Sequence, residues 1–84
     1  MSKLTIQETH VLAYFEGTAA GYISAGSFTR TLIKAISLSD KENRAKLHQG
    51  FPEYVEAVTS YQQGPASPWH KQGEPTILDK AGIR

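Results

Sequence analysis

Cysteine is absent from the 84 residues. No disulfide can staple the fold, and no thiolate can serve as nucleophile or metal ligand. A reducing compartment suits such a chain, and the opening MSKLTIQE lacks the apolar run of a secretory leader, so the expected location is the cytoplasm. Long hydrophobic runs are missing too. No stretch approaches the ~20 apolar residues of a membrane span, which leaves a membrane out of the expected partners. Charge of one sign is scarce: the net charge is +1 and the pI about 8.0. A domain built to bind nucleic acid is usually far more basic, so the charge argues against DNA as a partner.

Catalytic signatures are equally scarce. There is no HExxH, no Walker loop, no G-x-S-x-G elbow and no dinucleotide fingerprint. His10, His48 and His70 have no metal-ligand spacing and read as solvated or satisfied side chains. Asp40 and Glu42 fall on different sides of a helical turn and make no acid/base pair. The expectation is therefore a protein that is not an enzyme, with no metal and no cofactor.

What is present is helical periodicity, concentrated between Ser27 and Gln62. Phe28, Leu32, Ile33 and Ile36 form one apolar stripe of a 3.6-residue helix. Ser27 is a suitable N-cap for it. Ser39 and Glu42 form an S-x-x-E capping box, so a helix is expected to restart near Asp40. A second stripe runs through Leu47, Phe51, Tyr54, Val55, Val58 and Tyr61. It keeps its phase across Gly50-Phe51-Pro52. Either one helix ends at Gly50 and another begins at Pro52, or one helix is kinked there, and in both cases the phase predicts roughly collinear pieces. Gly64-Pro65 ends the helix.

Ahead of this region, Thr5 and Glu8 make a T-x-x-E capping box for a short helix from Ile6 to Phe15 or Glu16. The ten residues from Gly17 to Gly26 hold three glycines and read as a turn at Gly17-Thr18, then helix, with a bend at Gly26; a flexible linker and a patch of small residues making room for a ligand are both open readings. Residues 65–84 hold three of the four prolines and show no period, which reads as an irregular tail unable to fold alone. Its Trp69 is expected to dock on the chain's own helices or on a neighbouring subunit, with Ile77 and Leu78 as minor partners. The expected fold is all-α: a short N-terminal helix, an antiparallel helical pair with a Gly/Pro kink, and the irregular C-terminal tail. The expected division is an oligomerising helical domain at 1–64 and a Pro/Gly-rich tail at 65–84. A chain this short buries only about 60–65% of its unfolded surface, so oligomerisation is expected to supply further burial.

Cations cluster in the central stretch: Arg30, Lys34, Lys41, Arg44 and Lys46 stand against Asp40 and Glu42. This is either a solvated face or a local anion site. Near its start, Tyr14 closes the first helix, and Phe28 opens the next with Thr29, Arg30, Thr31 and Lys34. Two aromatic rings to sandwich a base, with hydroxyls and cations for phosphate at a helix N-terminus, make a minimal nucleotide site. Read conservatively, Tyr14 and Phe28 are core and the cations are solvated.

Tyr14 and the run Phe28-Thr29-Arg30-Thr31 resemble, in order and separation, the pocket of the small phage-encoded sponge proteins that counter CBASS immunity by sequestering cyclic oligonucleotides. That family places a basic residue directly after the phenylalanine; here Thr29 intervenes before Arg30. The resemblance covers Leu4 to Gln62. It implies an all-helical homo-oligomer, a hexamer in the family, acting in the cytoplasm of an infected host cell. It also implies a cyclic di- or trinucleotide held between subunits by Tyr14, Phe28, Thr29, Arg30, Thr31 and Lys34. Two other functions stay open from the residues. One is a helical protein-interaction module that inhibits a host protein, the aromatics being its hot spot. The other is a helix-turn-helix over residues 28–49 that binds DNA through Arg44 and Lys46.

Overall fold

A computed structural model describes residues 3–17 and 26–82. Among them are five α-helices, one short 3₁₀ turn at Gly64–Ala66, and no strand. The helices are α1 (Ile6–Glu16), α2 (Ser27–Leu38), α3 (Lys41–Gly50), α4 (Pro52–Gln63) and α5 (Ile77–Ala81). The all-helical expectation holds, and α1 begins and ends where its sequence signals put it. Thr5 Oγ1 accepts from the Glu8 N–H while the Glu8 carboxylate accepts from the Thr5 N–H. Gly17 closes α1 at φ 77°, a left-handed conformation open to glycine at little cost. Residues 18–25, most of the glycine-rich stretch, lie outside the described residues.

Two capping expectations fail. Ser27 is the first helical residue of α2; Gly26 is the N-cap, with no side-chain acceptor. Ser39 does not cap α3. Asp40 does, accepting from the Asn43 N–H at 2.8 Å. Ser39 turns back instead and donates to the Ile36 carbonyl at 2.6 Å. An aspartate stood one position nearer the helix and has the stronger, charged acceptor.

Between α3 and α4 the chain leaves helical geometry at Phe51 (φ −135°, ψ 59°). The steric demand of Pro52 on its predecessor explains the departure. The Phe51 N–H still closes α3 on Leu47, and its carbonyl opens α4 on Val55. The two helices are not collinear. One continuous helix would separate Arg44 from Thr59 by about 22 Å, yet their side chains are hydrogen-bonded at 3.2 Å. His48 likewise reaches Glu56 at 2.8 Å. α3 therefore folds back along α4, and the unbroken apolar phase was coincidental.

α4 is the hub. Its Val55, Ala57 and Val58 pack with Val11 and Leu12 of α1, with Leu32, Ile33 and Ile36 of α2, and with Ile77 of α5. The lateral order is set by further pairs. His10 shares a 2.8 Å hydrogen bond with the Tyr54 hydroxyl. Phe15 stacks on Tyr61 with centroids 4.5 Å apart. Gln62 donates to the Ser37 carbonyl. Residues 65–82 are docked rather than free. Thr76 and Asp79 form a capping box that starts α5, and Ile77 is fully buried. The Ile77 N–H donates to Ser60 Oγ, and Lys80 bridges both oxygens of Glu8 at 3.0 Å. Trp69 is half-buried with its ring stacked on His48, centroids 4.5 Å apart and planes nearly parallel. It docks on its own chain, and Ile77, expected as a minor partner, is a core residue.

Candidate functional site

The first turn of α2 is electropositive for three independent reasons. Gly26 gives no side-chain acceptor to the opening N–H groups, so the positive end of the helix dipole is uncapped. No acidic residue occupies that turn. Arg30 and Lys34, four residues apart on one side, are exposed and make no ion pair among the described residues.

Phe28 lies in the same turn and is 69% exposed. It is not core, against the conservative reading. Its ring sits 6.1 Å from that of Phe51, tilted by 53°, and Phe51 is itself at the surface. Thr31 and Lys34 follow Phe28 at intervals of three and are exposed beside it. Thr29 is half-buried and turns away from this stripe toward Leu32 and Ile33. The structure thus leaves Phe28, Arg30, Thr31 and Lys34 exposed on α2, with Thr31 one turn from Phe28 and Arg30 on the far side of the helix from its ring. Beside Phe28 lies Phe51, a residue that the periodicity assigned to the inner stripe of the next helix. The signal that could have found it is Pro52, which forces the preceding residue out of the helix.

Tyr14 is elsewhere in the single chain. It is half-buried against the core and meets Phe15 edge-on at 5.0 Å. Phe15 continues the aromatic row to Tyr61, whose hydroxyl donates to the Glu16 carboxylate. That hydrogen bond, with burial and the carboxylate charge, raises the Tyr61 pKa above its ordinary value. Within one protomer Tyr14 and Phe28 take part in separate ring contacts.

Arg44 changes role altogether. It is 8% exposed and donates to Ser39 Oγ, to Thr59 Oγ1 and to the Ile36 carbonyl. It holds α3 to the ends of α2 and α4, and it is withdrawn from the basic face on which a DNA reading would place it.

The three histidines have partners: His10 with Tyr54, His48 with Glu56, and His70 with Glu74 at 4.0 Å. Among the described residues, no three His, Cys, Asp or Glu side chains are grouped to hold a metal ion. No described helix is long and apolar enough to cross a membrane. Two concave regions stand out among the described residues, and neither is lined by the sequence-predicted residues. One, of about 200 Å³, is lined by Glu8, Glu53, Glu56 and Glu74 with Lys80, His70 and Trp69 among others, a surround with more carboxylates than cations. The other, of about 300 Å³, lies beside Arg44. Comparison of the chain with protein families, with curated proteins and with solved structures returns no match.

Proposed function

We propose that this protein is a non-catalytic oligomer that sequesters a cyclic oligonucleotide signal, a cyclic di- or trinucleotide, and so blocks host antiviral signalling. The observation that carries the reading is the exposure of Phe28 beside Phe51 at a helix N-terminus with no side-chain cap, on a helix that also exposes Arg30, Thr31 and Lys34, the two cations without an ion pair among the described residues. A water-facing phenylalanine and two such cations on one helix suit a ligand with a flat base and a phosphodiester. The ligand sits where Tyr14 of one subunit meets Phe28 to Lys34 of another. Thr31 donates to phosphate oxygens, with Thr29 beside it, and Arg30 and Lys34 supply charge. The finer arrangement that accompanies this reading has α1 set against an antiparallel helical pair, and copies assembled as in the resembling sponge family, a hexamer. Sequestration needs affinity without turnover, which suits a stripe that offers no general acid, base or nucleophile. Phage origin and action in the host cytoplasm belong to the same proposal.

A second reading, the protein-interaction module, draws on Leu38 and Ile6, which are 75% and 56% exposed. The two readings separate on the Phe28 stripe. The sponge reading expects Phe28→Ala to weaken cyclic-nucleotide binding about 5- to 150-fold, from ~1–3 kcal/mol per stacked base. Calorimetric titration of the folded variant checks this. A parent that binds no cyclic nucleotide but retains a partner through Leu38 would favour the second reading.

A further inference from the structure

We propose that the cavity between the C-terminal end of α2, α3 and the segment around Trp69 is an oxyanion site, in which Arg44 and Lys41 hold the phosphate group of a small phosphorylated molecule. It lies at the opposite end of α2 from Phe28, about 16 Å along the helix axis, and does not rest on the function proposed above.

The argument begins with Arg44. Its guanidinium is a buried cation whose named partners are all neutral: Ser39 Oγ at 3.2 Å, Thr59 Oγ1 at 3.2 Å and the Ile36 carbonyl at 2.8 Å. Among the described residues, no carboxylate pairs with it. Burial without a counter-ion pulls its pKa below the ordinary value, although a guanidinium remains charged at any ordinary pH. The C-terminal carbonyls of α2 offset only about half an elementary charge. A buried charge normally has a partner of opposite sign. Among the described residues that partner is missing.

The surroundings supply room for one. A guanidinium carries five N–H groups, and the three bonds above leave two uncommitted. Arg44 lines a cavity of about 300 Å³ together with Ser39, Lys41, Thr59, Gln63 and Trp69. Lys41 is exposed, has no ion pair among the described residues, and adds a second cation at the rim. Two cations around one opening suit a dianion better than a monoanion. Trp69 and Pro68 give one apolar wall, and the volume exceeds that of phosphate alone, so an organic group can remain attached.

The test uses the full chain and inorganic phosphate, with chloride at matched ionic strength as reference and acetate as a carboxylate arm. Trp69 is the only tryptophan and lines this cavity, so its emission reports on this site and not on the Phe28 stripe. The parent should show a saturable change in emission and a rise in Tm with phosphate, and a smaller response to acetate. Lys41→Ala removes an exposed side chain and keeps the fold; it should weaken phosphate about three- to fivefold, the range of one exposed charge contact. Gln63→Glu sets a carboxylate on the cavity wall. It should abolish the phosphate response while leaving the phosphate-free Tm equal or higher. No saturable response in the parent overturns the proposal. So do variants that respond like the parent, and acetate that matches phosphate.

Discussion

Arg44 and Lys46 stand two positions apart in one basic run and have opposite fates. Lys46 is solvated; Arg44 is buried and ties Ser39, Ile36 and Thr59 together. Charge alone cannot tell them apart. Their helical positions could have done so, because Arg44 shares the inner face with Leu47, half-buried against the core. Arg44→Ala should lower stability by about 1–3 kcal/mol through lost charged hydrogen bonds, and Lys46→Ala should stay within about 0.5 kcal/mol. Denaturant unfolding of both variants checks the contrast. Phe28→Ala belongs with Lys46 for stability, since its ring is largely in water, and the notion of a core Phe28 predicts a loss of several kcal/mol instead. Tyr61 gives a pH dependence. Its pKa is raised in the folded chain by the Glu16 hydrogen bond and by burial. Below the unfolded tyrosine pKa, near 10, both states hold the proton and the contribution is fully present. As pH rises further the unfolded chain ionises first, so stability falls through the folded pKa. Tyr61→Phe should flatten that alkaline decline in Tm.

Among the elements, α1 was legible to within a residue because its signals are local: a reciprocal cap at one end and a glycine at the other. The apolar stripe of α2 also read correctly at Leu32, Ile33 and Ile36, all buried. The relation of α3 to α4 was not legible. Periodicity records which face is apolar, not the direction in which the next helix leaves. α3 contributes no fully buried apolar side chain, and its attachment rests on Arg44 and on His48 with Glu56 and Trp69. The missed element is α5. Five residues are too few for a helical period, although Thr76-x-x-Asp79 was readable as a cap. Ile77 is fully buried in the common core, so Ile77→Ala should cost about 2–5 kcal/mol, as for a buried residue of any long helix. A change below about 0.5 kcal/mol in urea unfolding would mean that this segment is a dispensable tail.

At the scale of the whole molecule the Cα radius of gyration is 12.0 Å, close to the ~12 Å expected of a compact chain of this length. The protomer is a slab, 33 × 31 × 18 Å, about two helix diameters thick. A slab buries its midplane and leaves two broad faces in water. Ile6, Phe28, Leu38 and Phe51 remain exposed on such a surface. Their exposure fits association of copies, the same step that would bring Tyr14 of one protomer to Phe28 of another. Sedimentation at micromolar concentration should therefore show a homo-oligomer. A folded monomer at that concentration would remove the shared pocket.

The central claim, retention of a cyclic oligonucleotide without turnover, is tested most directly by calorimetric titration of the parent protein with cyclic di- and trinucleotides, followed by denaturation and recovery of the ligand. The account predicts saturable binding of at least one of them and release of that ligand chemically intact. Heat-silent titrations across the whole set, or recovery of a cleaved product, would contradict it.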